Sequence, residues 1–133
     1  MKILIIQCNQ THEAKRYPYW DGLEELLTNH EVKKIETKLS EKELIDLTNW
    51  CDVWVTIDSF FPHFVQYHKL KPGIVIWGKS DPKIFGYEEN VNLLRHPRYL
   101  REEQFKWWQS EKYDKDVFVS PSKIKDAIDE FVK

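Results

Sequence analysis

Six residues that lie between an apolar run and a helical pattern have the types and spacing needed to bind an anion. Asp58 and Ser59 follow the apolar residues 53–57, and Pro62 and His63 lie where a helix is predicted to begin. The first N–H groups of a helix have no partner within it and lie at the positive end of its dipole. Ser59 suits an N-cap, Pro62 suits a first turn, and His63 projects from that turn. The segment therefore predicts a phosphate or diphosphate site, and the plainer alternative is an ordinary capped helix.

Two further segments are predicted to leave strands at the same edge of a parallel sheet. Residues 9–16 follow the first apolar run, and residues 78–82 follow the fourth. Ligands of open parallel sheets bind beyond the carboxyl ends of the strands, so the three loops should meet there. Together they supply cations, hydroxyls, a helix N-terminus and an imidazole, which suit a diphosphate. The candidate ligand-binding residues are Gln10, Thr11, Lys15, Arg16, Asp58, Ser59, Phe60, Phe61, His63, Gly78 and Lys79.

Each candidate also has a structural interpretation that involves no ligand. Lys15 and Arg16 are of types that are commonly solvated, and a lone His63 in a first turn is commonly a local hydrogen-bond partner. For Asp58 we favour a structural role, in which the carboxylate accepts N–H bonds from its own loop. His63 and His68 are five residues apart, which does not place two metal ligands on one helix face, so no metal site is predicted.

The elements that must hold these loops alternate between strand and helix. Strands are predicted at residues 2–7, 31–39, 53–57, 74–77, 91–94 and 116–119. Helices are predicted at residues 18–29, 40–50, 62–69, 98–109 and 120–131, with a loop at 79–90. Near-continuous apolar strands that alternate with helices indicate a parallel sheet covered on both faces. The prediction is one α/β domain over residues 1–133, with a Rossmann-like, three-layer, mostly parallel architecture. Trp54 and Trp77 are predicted to lie in its core.

Composition narrows the function classes. The chain has 133 residues, 41% hydrophobic content and a net charge of −2, so nucleic acid is not an expected partner. No apolar run approaches the ~20 residues of a membrane span, and no signal peptide is recognised. Cys8 and Cys51 have no metal-binding spacing, which favours a reducing, cytoplasmic location. Trp107 and Trp108 cannot both face inward on a helix, so one is expected to be exposed or to meet a partner.

Several ordered segments resemble glycosyltransferase family 9, the ADP-heptose:lipopolysaccharide heptosyltransferases. Residues 15–18 resemble the family's K-x-W-P element. Residues 58–63 resemble its D-[ST]-G-x-x-H motif, with Asp, Ser and His at matching positions. Residues 71–82 resemble its K-P-x-[VI]-x-[LI]-[FW]-G-x-[ST]-[DN]-P run. The likeness continues through residues 40–52, 85–87 and 120–131. It covers nearly the whole chain but only the C-terminal, nucleotide-binding half of the family's two-domain GT-B fold.

The resemblance implies roles for individual residues. Thr11 and Lys15 would contact the phosphates. The diphosphate would also meet Ser59, Phe60 and His63, and Asp58 would support their loop. Glu36, after the second strand, is a possible partner for the ribose hydroxyls. Phe60 replaces the family glycine, which narrows the backbone's approach to phosphate.

The function predicted from these observations is binding of a nucleotide diphosphate or a nucleotide-sugar. The family half that carries the acceptor site and general base is absent from this sequence. Glycosyl transfer from an NDP-sugar would therefore need a homodimer or a separate acceptor-side subunit, and no catalytic residue is assigned. One alternative is a non-catalytic protein that sequesters or senses a nucleotide-derived ligand. Another is a flavodoxin-like or receiver-like interaction domain without nucleotide. No cofactor besides the nucleotide ligand is expected.

Overall fold

Runs of β-branched residues and leucine form the strands of this protein, and amphipathic segments form its helices. The computed structural model describes residues 1–7, 15–105 and 112–131. The strands are β1 (Lys2–Ile6), β2 (Glu31–Ile35), β3 (Val53–Ile57), β4 (Ile74–Trp77) and β5 (Val91–Leu94). The α-helices are α1 (Trp20–Leu26), α2 (Glu41–Trp50), α3 (Phe60–Tyr67), α4 (Pro82–Phe85) and α5 (Pro121–Phe131). Pro97–Tyr99 and Lys115–Val117 form 3-10 helices.

Within the described residues, the strands form one parallel sheet in the order β2-β1-β3-β4-β5. Helices α1 and α5 pack on one face, and α2 and α3 pack on the other. This arrangement confirms the predicted Rossmann-like α/β architecture. The chain runs outward from β1 to β2 and then returns to place β3 on the opposite side of β1. The strand order therefore reverses between β1 and β3, which is where open α/β sheets bind ligands.

Each face of the sheet has its own apolar core. Alternation along β1 sends Ile3 and Ile5 to the α1/α5 face, and Leu4 to the α2/α3 face. Trp54 and Trp77 are fully buried, which confirms their predicted place in the core. The Trp54 indole N–H donates to the carbonyl of residue 71 at 2.9 Å, and that of Trp77 donates to the side chain of residue 92 at 2.9 Å. Both indoles therefore bury their rings without leaving a polar atom unpaired.

The sixth predicted strand, at residues 116–119, is wrong, because these residues do not pair with the sheet. The Asp114 side chain accepts the N–H of Asp116 at 3.0 Å and starts a 3-10 turn. Such local bonds compete with strand pairing. Val117 and Phe118 are buried instead against Gly78, where an added Cβ would lie 2.8 Å from the Phe118 ring.

The helix predicted at residues 98–109 is also wrong over its described part. A 3-10 turn begins at Pro97, and the Arg101 N–H then donates to the carbonyl of Lys79 at 3.0 Å. That bond turns the chain toward the β4 connection and ends the helical turn. Residues 106–111, with Trp107 and Trp108, lie outside the described residues.

Smaller differences concern element boundaries. β2 ends at Ile35 rather than at residue 39, and the predicted loop at 79–90 contains the one-turn helix α4. α3 begins at Phe60, two residues before the predicted start. This earlier start changes the position of Pro62 in the helix, with consequences for the site described below.

The thiol of Cys51 is buried at the end of α2. It donates to the carbonyl of Thr48 at 3.3 Å, and burial raises its pKa to about 11. The thiol is therefore neutral at physiological pH and acts as a packing residue. No helix in the described ranges is long and apolar enough to span a bilayer.

Candidate functional site

The connection from β3 to α3 forms one wall of the site. The Asp58 N–H donates to the carbonyl of Ile76 at 3.2 Å, so the β3–β4 ladder continues to the edge of the sheet. Ser59 follows in an extended conformation as the N-cap residue of α3. Its hydroxyl turns back and donates to the carbonyl of Ile57 at 3.1 Å. The predicted N-cap position is therefore correct, but the Ser59 side chain does not cap the helix.

The reason lies in the position of Pro62. A serine N-cap commonly accepts the N–H of the third helical residue, and in α3 that residue is Pro62, which has no N–H. The Ser59 hydroxyl lacks this usual donor and does not accept the Phe61 N–H at the second helical position either. The N–H groups of Phe60 and Phe61, at the first two helical positions, are consequently not capped by Ser59. They remain donors at the positive end of the α3 dipole.

Lys15 meets this connection from the loop that follows β1. Its Nζ lies 3.3 Å from Oδ2 of Asp58, and the Asp58 side chain is only 11% exposed. Within the described residues, the Asp58 carboxylate pairs with Lys15 rather than with backbone N–H groups of its own loop. The structural role that we favoured for Asp58 is therefore corrected: it orients a cation.

A buried tyrosine anchors the segment that carries Lys15. Tyr17 is 1% exposed, and its hydroxyl donates to the carbonyl of Val119 at 2.9 Å. Its ring packs edge to face against Trp20 and Phe118. Burial raises the pKa of Tyr17 well above its ordinary value, so the hydroxyl stays protonated as a donor. Tyr17 therefore fixes the position of the segment that carries Lys15 beside the edge of the sheet.

These groups surround a cavity of about 230 Å³ at the switch point, which we call the Lys15 cavity. Its lining consists of Lys15, Asp58, Ser59, Phe60, His63, Ser80 and Phe85. Five of these seven were predicted as ligand-binding residues, and they come from two of the three predicted loops. Ser80 belongs to the third loop, so all three contribute to one cavity.

The other candidates lie elsewhere. Phe61 has no exposed surface, its ring packs against Trp54, and it does not line the cavity. Gly78 is required by packing against Phe118, as described above. The Lys79 ammonium donates to the carbonyl of Lys112 at 2.9 Å, and Lys79 does not line the cavity. Arg16 is exposed and does not line it either. Gln10 and Thr11 lie outside the described residues.

His63 has a partner that the sequence did not identify. Its Nδ1 lies 2.7 Å from the hydroxyl of Tyr87, which follows α4. The two rings meet edge to face, with centroids 5.5 Å apart. Sequence spacing carries no signal for this contact, because the two residues are 24 positions apart and belong to different connections.

A second, more apolar groove adjoins the Lys15 cavity across Phe60. Its volume is about 460 Å³, and its lining consists of Glu36, Lys38, Leu39, Glu41, Leu44, Phe60 and Phe64. Phe60 is 44% exposed and lines both spaces. Glu36 accepts from Nε2 of Gln7 at 3.1 Å, and Nζ of Lys34 lies 3.9 Å away. Hydrogen bonding to Glu24, with help from Glu36, raises the pKa of Lys34, so this cation stays charged beside the groove.

A larger cavity lies away from the switch point. It has a volume of about 770 Å³ and lies between β5 and the start of α5. Its guanidinium group, from Arg95, already donates to the carbonyl of Asp116 and lies over the Tyr99 ring. Size alone therefore does not identify the site, and the convergence of charged and polar groups at the switch point favours the Lys15 cavity.

The groups that line the Lys15 cavity are of types that bind anions. An ammonium group, the N-terminus of α3 and an imidazole approach one space, together with the Asp58 carboxylate. Among the described residues no group of three or more His, Cys, Asp or Glu side chains is arranged to hold a metal ion. Comparisons with models of protein families, with curated proteins and with solved structures found no match for this chain.

Proposed function

We propose that this protein binds a nucleotide diphosphate or a nucleotide-sugar, with the diphosphate in the Lys15 cavity. The observation that carries the proposal is the position of Lys15 beside the N-terminus of α3, where Ser59 does not cap the helix. Both features lie where the strand order of the sheet reverses.

A diphosphate would complete interactions that the fold begins. The N–H group of Phe60, at the first position of α3, would donate to its oxygens, as helix N-termini do in other phosphate sites. The ammonium group of Lys15 lines the cavity beside Asp58 and would bring its positive charge to the diphosphate oxygens. Each charge-assisted bond of this kind contributes about 1.5–3 kcal/mol.

The groove beyond Phe60 would take the nucleoside. Phe60, Phe64 and Leu39 offer apolar surface for a base, and Glu36 offers a carboxylate for the ribose hydroxyls. The resemblance of residues 58–63 to the heptosyltransferase motif supports the same arrangement.

Catalysis is a separate question from binding. Transfer from a nucleotide-sugar would also need an acceptor side that closes over the Lys15 cavity, since closure between two halves excludes water. A protein that only sequesters or senses the nucleotide would use the same cavity. Turnover of a labelled NDP-sugar by the purified chain distinguishes the two, because the binder would release no sugar.

The binding proposal is tested by thermal unfolding with ADP, UDP, GDP and their sugars, against the matching nucleosides. A ligand at 100 times its dissociation constant adds about 2.7 kcal/mol of stability. For a domain of this size we expect a rise in Tm of roughly 10 °C. Nucleosides, which lack the diphosphate, should give much smaller shifts.

A flat response to every nucleotide would overturn the proposal. It would favour the interaction domain without nucleotide, because the strand order β2-β1-β3-β4-β5 is also that of flavodoxin-like and receiver domains.

A further inference from the structure

The connection between β4 and β5 reaches the Lys15 cavity through one side chain, Tyr87. Its hydroxyl hydrogen bonds to Nδ1 of His63 at 2.7 Å, so that ring nitrogen is occupied on the α4 side. His63 lines the cavity, and Nε2 is the nitrogen left to meet a ligand there. The contact therefore controls which atom of the imidazole a ligand encounters.

Tyr87 is held in place independently of any ligand. The side-chain amide of Asn92 donates to the Tyr87 carbonyl at 3.0 Å, and its oxygen accepts from the Trp77 indole at 2.9 Å. Gly86 lets this loop lie close to the sheet, since an added Cβ would lie 2.7 Å from the carbonyl oxygen of Pro82 and 3.0 Å from the Trp77 ring. The hydroxyl is thus presented to His63 by a loop tied to the core.

Acidity decides which partner donates in this hydrogen bond. A phenol is a far stronger acid than the N–H of a neutral imidazole, and an unprotonated imidazole nitrogen is a good acceptor. The favourable arrangement therefore has the Tyr87 hydroxyl donating to Nδ1, with the imidazole proton on Nε2. A hydrogen bond at one ring nitrogen fixes the state of the other in this way.

We propose that Tyr87 is a positioning residue that holds His63 as the Nε2–H tautomer and directs this N–H to an anion in the Lys15 cavity. The ligand in this inference rests on the proposed function. Tyr87 itself touches no phosphate, and its effect on binding passes entirely through His63.

The tautomer is tested without any ligand, by ¹⁵N NMR of the histidine rings above the pH at which they titrate. In the native protein His63 should show a protonated Nε2 and an unprotonated, hydrogen-bonded Nδ1. Tyr87→Phe should move the Nδ1 resonance toward that of a nitrogen without a hydrogen bond. The matched control is Tyr67→Phe, on an exposed tyrosine of α3, which should leave both resonances unchanged. A native His63 with its proton on Nδ1 would overturn the inference.

The effect on binding is tested by a double-mutant cycle with inorganic diphosphate as the probe. Loss of one oriented hydrogen bond should raise the Kd of Tyr87→Phe by about fivefold. In a His63→Ala background the same change should have less than a twofold effect, because the residue it acts through is gone. Equal losses in both backgrounds would overturn the positioning role.

The two proposals fail in distinguishable ways. If the native protein binds no diphosphate, the proposed function fails and the anion half of this inference fails with it. The ¹⁵N resonances of the His63 ring, measured without ligand, still test whether Tyr87 holds the Nε2–H tautomer.

Discussion

Helices α2 and α3 both begin after a serine, yet their N-termini end up in opposite states. In α2 the Ser40 hydroxyl accepts the N–H of Glu43 at 3.2 Å, and the Glu43 carboxylate accepts the N–H of Ser40 at 3.2 Å. In α3 the Ser59 hydroxyl bonds to the carbonyl of Ile57 and caps nothing. Helix α2 therefore has a hydrogen-bonded cap at its first turn, and helix α3 begins at the edge of the sheet without a side-chain cap.

The difference traces to the third residue of each helix. Glu43 supplies both an N–H for the serine oxygen and a carboxylate for the serine N–H, which completes a capping box. Pro62 supplies neither, because its nitrogen carries no hydrogen. In this protein Ser-x-x-Glu forms a capping box at α2, and Ser-x-x-Pro leaves the serine side chain of α3 without a cap bond.

The sharpest way to break the comparison is to place a carboxylate at the open helix. Ser59→Asp brings a negative charge to the N–H groups of α3 and repels an incoming anion, so diphosphate affinity should fall more than tenfold. Ser40→Asp is the matched control, since aspartate caps a helix as well as serine does and α2 does not border the Lys15 cavity. Isothermal titration with inorganic diphosphate measures both. Similar affinities for the two variants would show that the α3 N-terminus does not bind the anion.

A second change removes the cation beside the open helix. Lys15→Ala should weaken diphosphate binding by about tenfold and leave nucleoside binding within twofold, since the lost bond is charge-assisted. Lys42→Ala, on the exposed face of α2, is the matched surface control and should change neither affinity. Titrations with ADP and adenosine, or with the base that gives the largest Tm shift, measure the difference.

The control for folding in this experiment is the double variant Lys15→Ala/Asp58→Asn. Loss of Lys15 alone leaves a largely buried carboxylate unpaired, which destabilises the fold. The double variant neutralises that carboxylate and should regain stability, yet it should still bind diphosphate weakly. Equal losses of nucleoside and diphosphate affinity in either variant would remove Lys15 from its proposed role.

The smallest expected effect concerns stability rather than binding. Ser40→Ala removes an N-cap and should lower the free energy of unfolding by about 1 kcal/mol. Ser59→Ala removes one hydrogen bond to the carbonyl of Ile57 and should cost about 0.5 kcal/mol. Urea unfolding of the two variants gives the comparison directly. A larger loss for Ser59→Ala would indicate that this serine caps α3 after all.

The fold was predictable because its signals are local and repeated. Apolar runs such as residues 53–57 and 74–77, separated by amphipathic helices, specify a parallel sheet before any contact is known. The failures occur where a short-range bond outweighs the pattern. Asp114 starts a 3-10 turn in a segment with strand-like residues, and the bond from Arg101 to Lys79 ends a segment with helical residues.

The candidate site was predictable in part. Parallel strands bring their following loops to one edge, which correctly places Lys15, Asp58 and His63 around one cavity. Two features required coordinates. The contact between His63 and Tyr87 joins distant connections, and the early start of α3 is what moves Pro62 to the third helical position. Helix boundaries are not fixed by periodicity to within two residues, so the loss of the Ser59 cap was not anticipated.

The central claim, that diphosphate binds the open N-terminus of α3, is tested most directly by following backbone amides in ¹H–¹⁵N spectra during a titration with inorganic diphosphate. The amides of Phe60 and Phe61 should show the largest shifts, moving in proportion to occupancy. Those of Glu41 and Lys42, at the capped N-terminus of α2, should stay in place. The account would be contradicted if the α3 amides did not shift, or if the amides at the N-termini of α2 and α3 shifted equally.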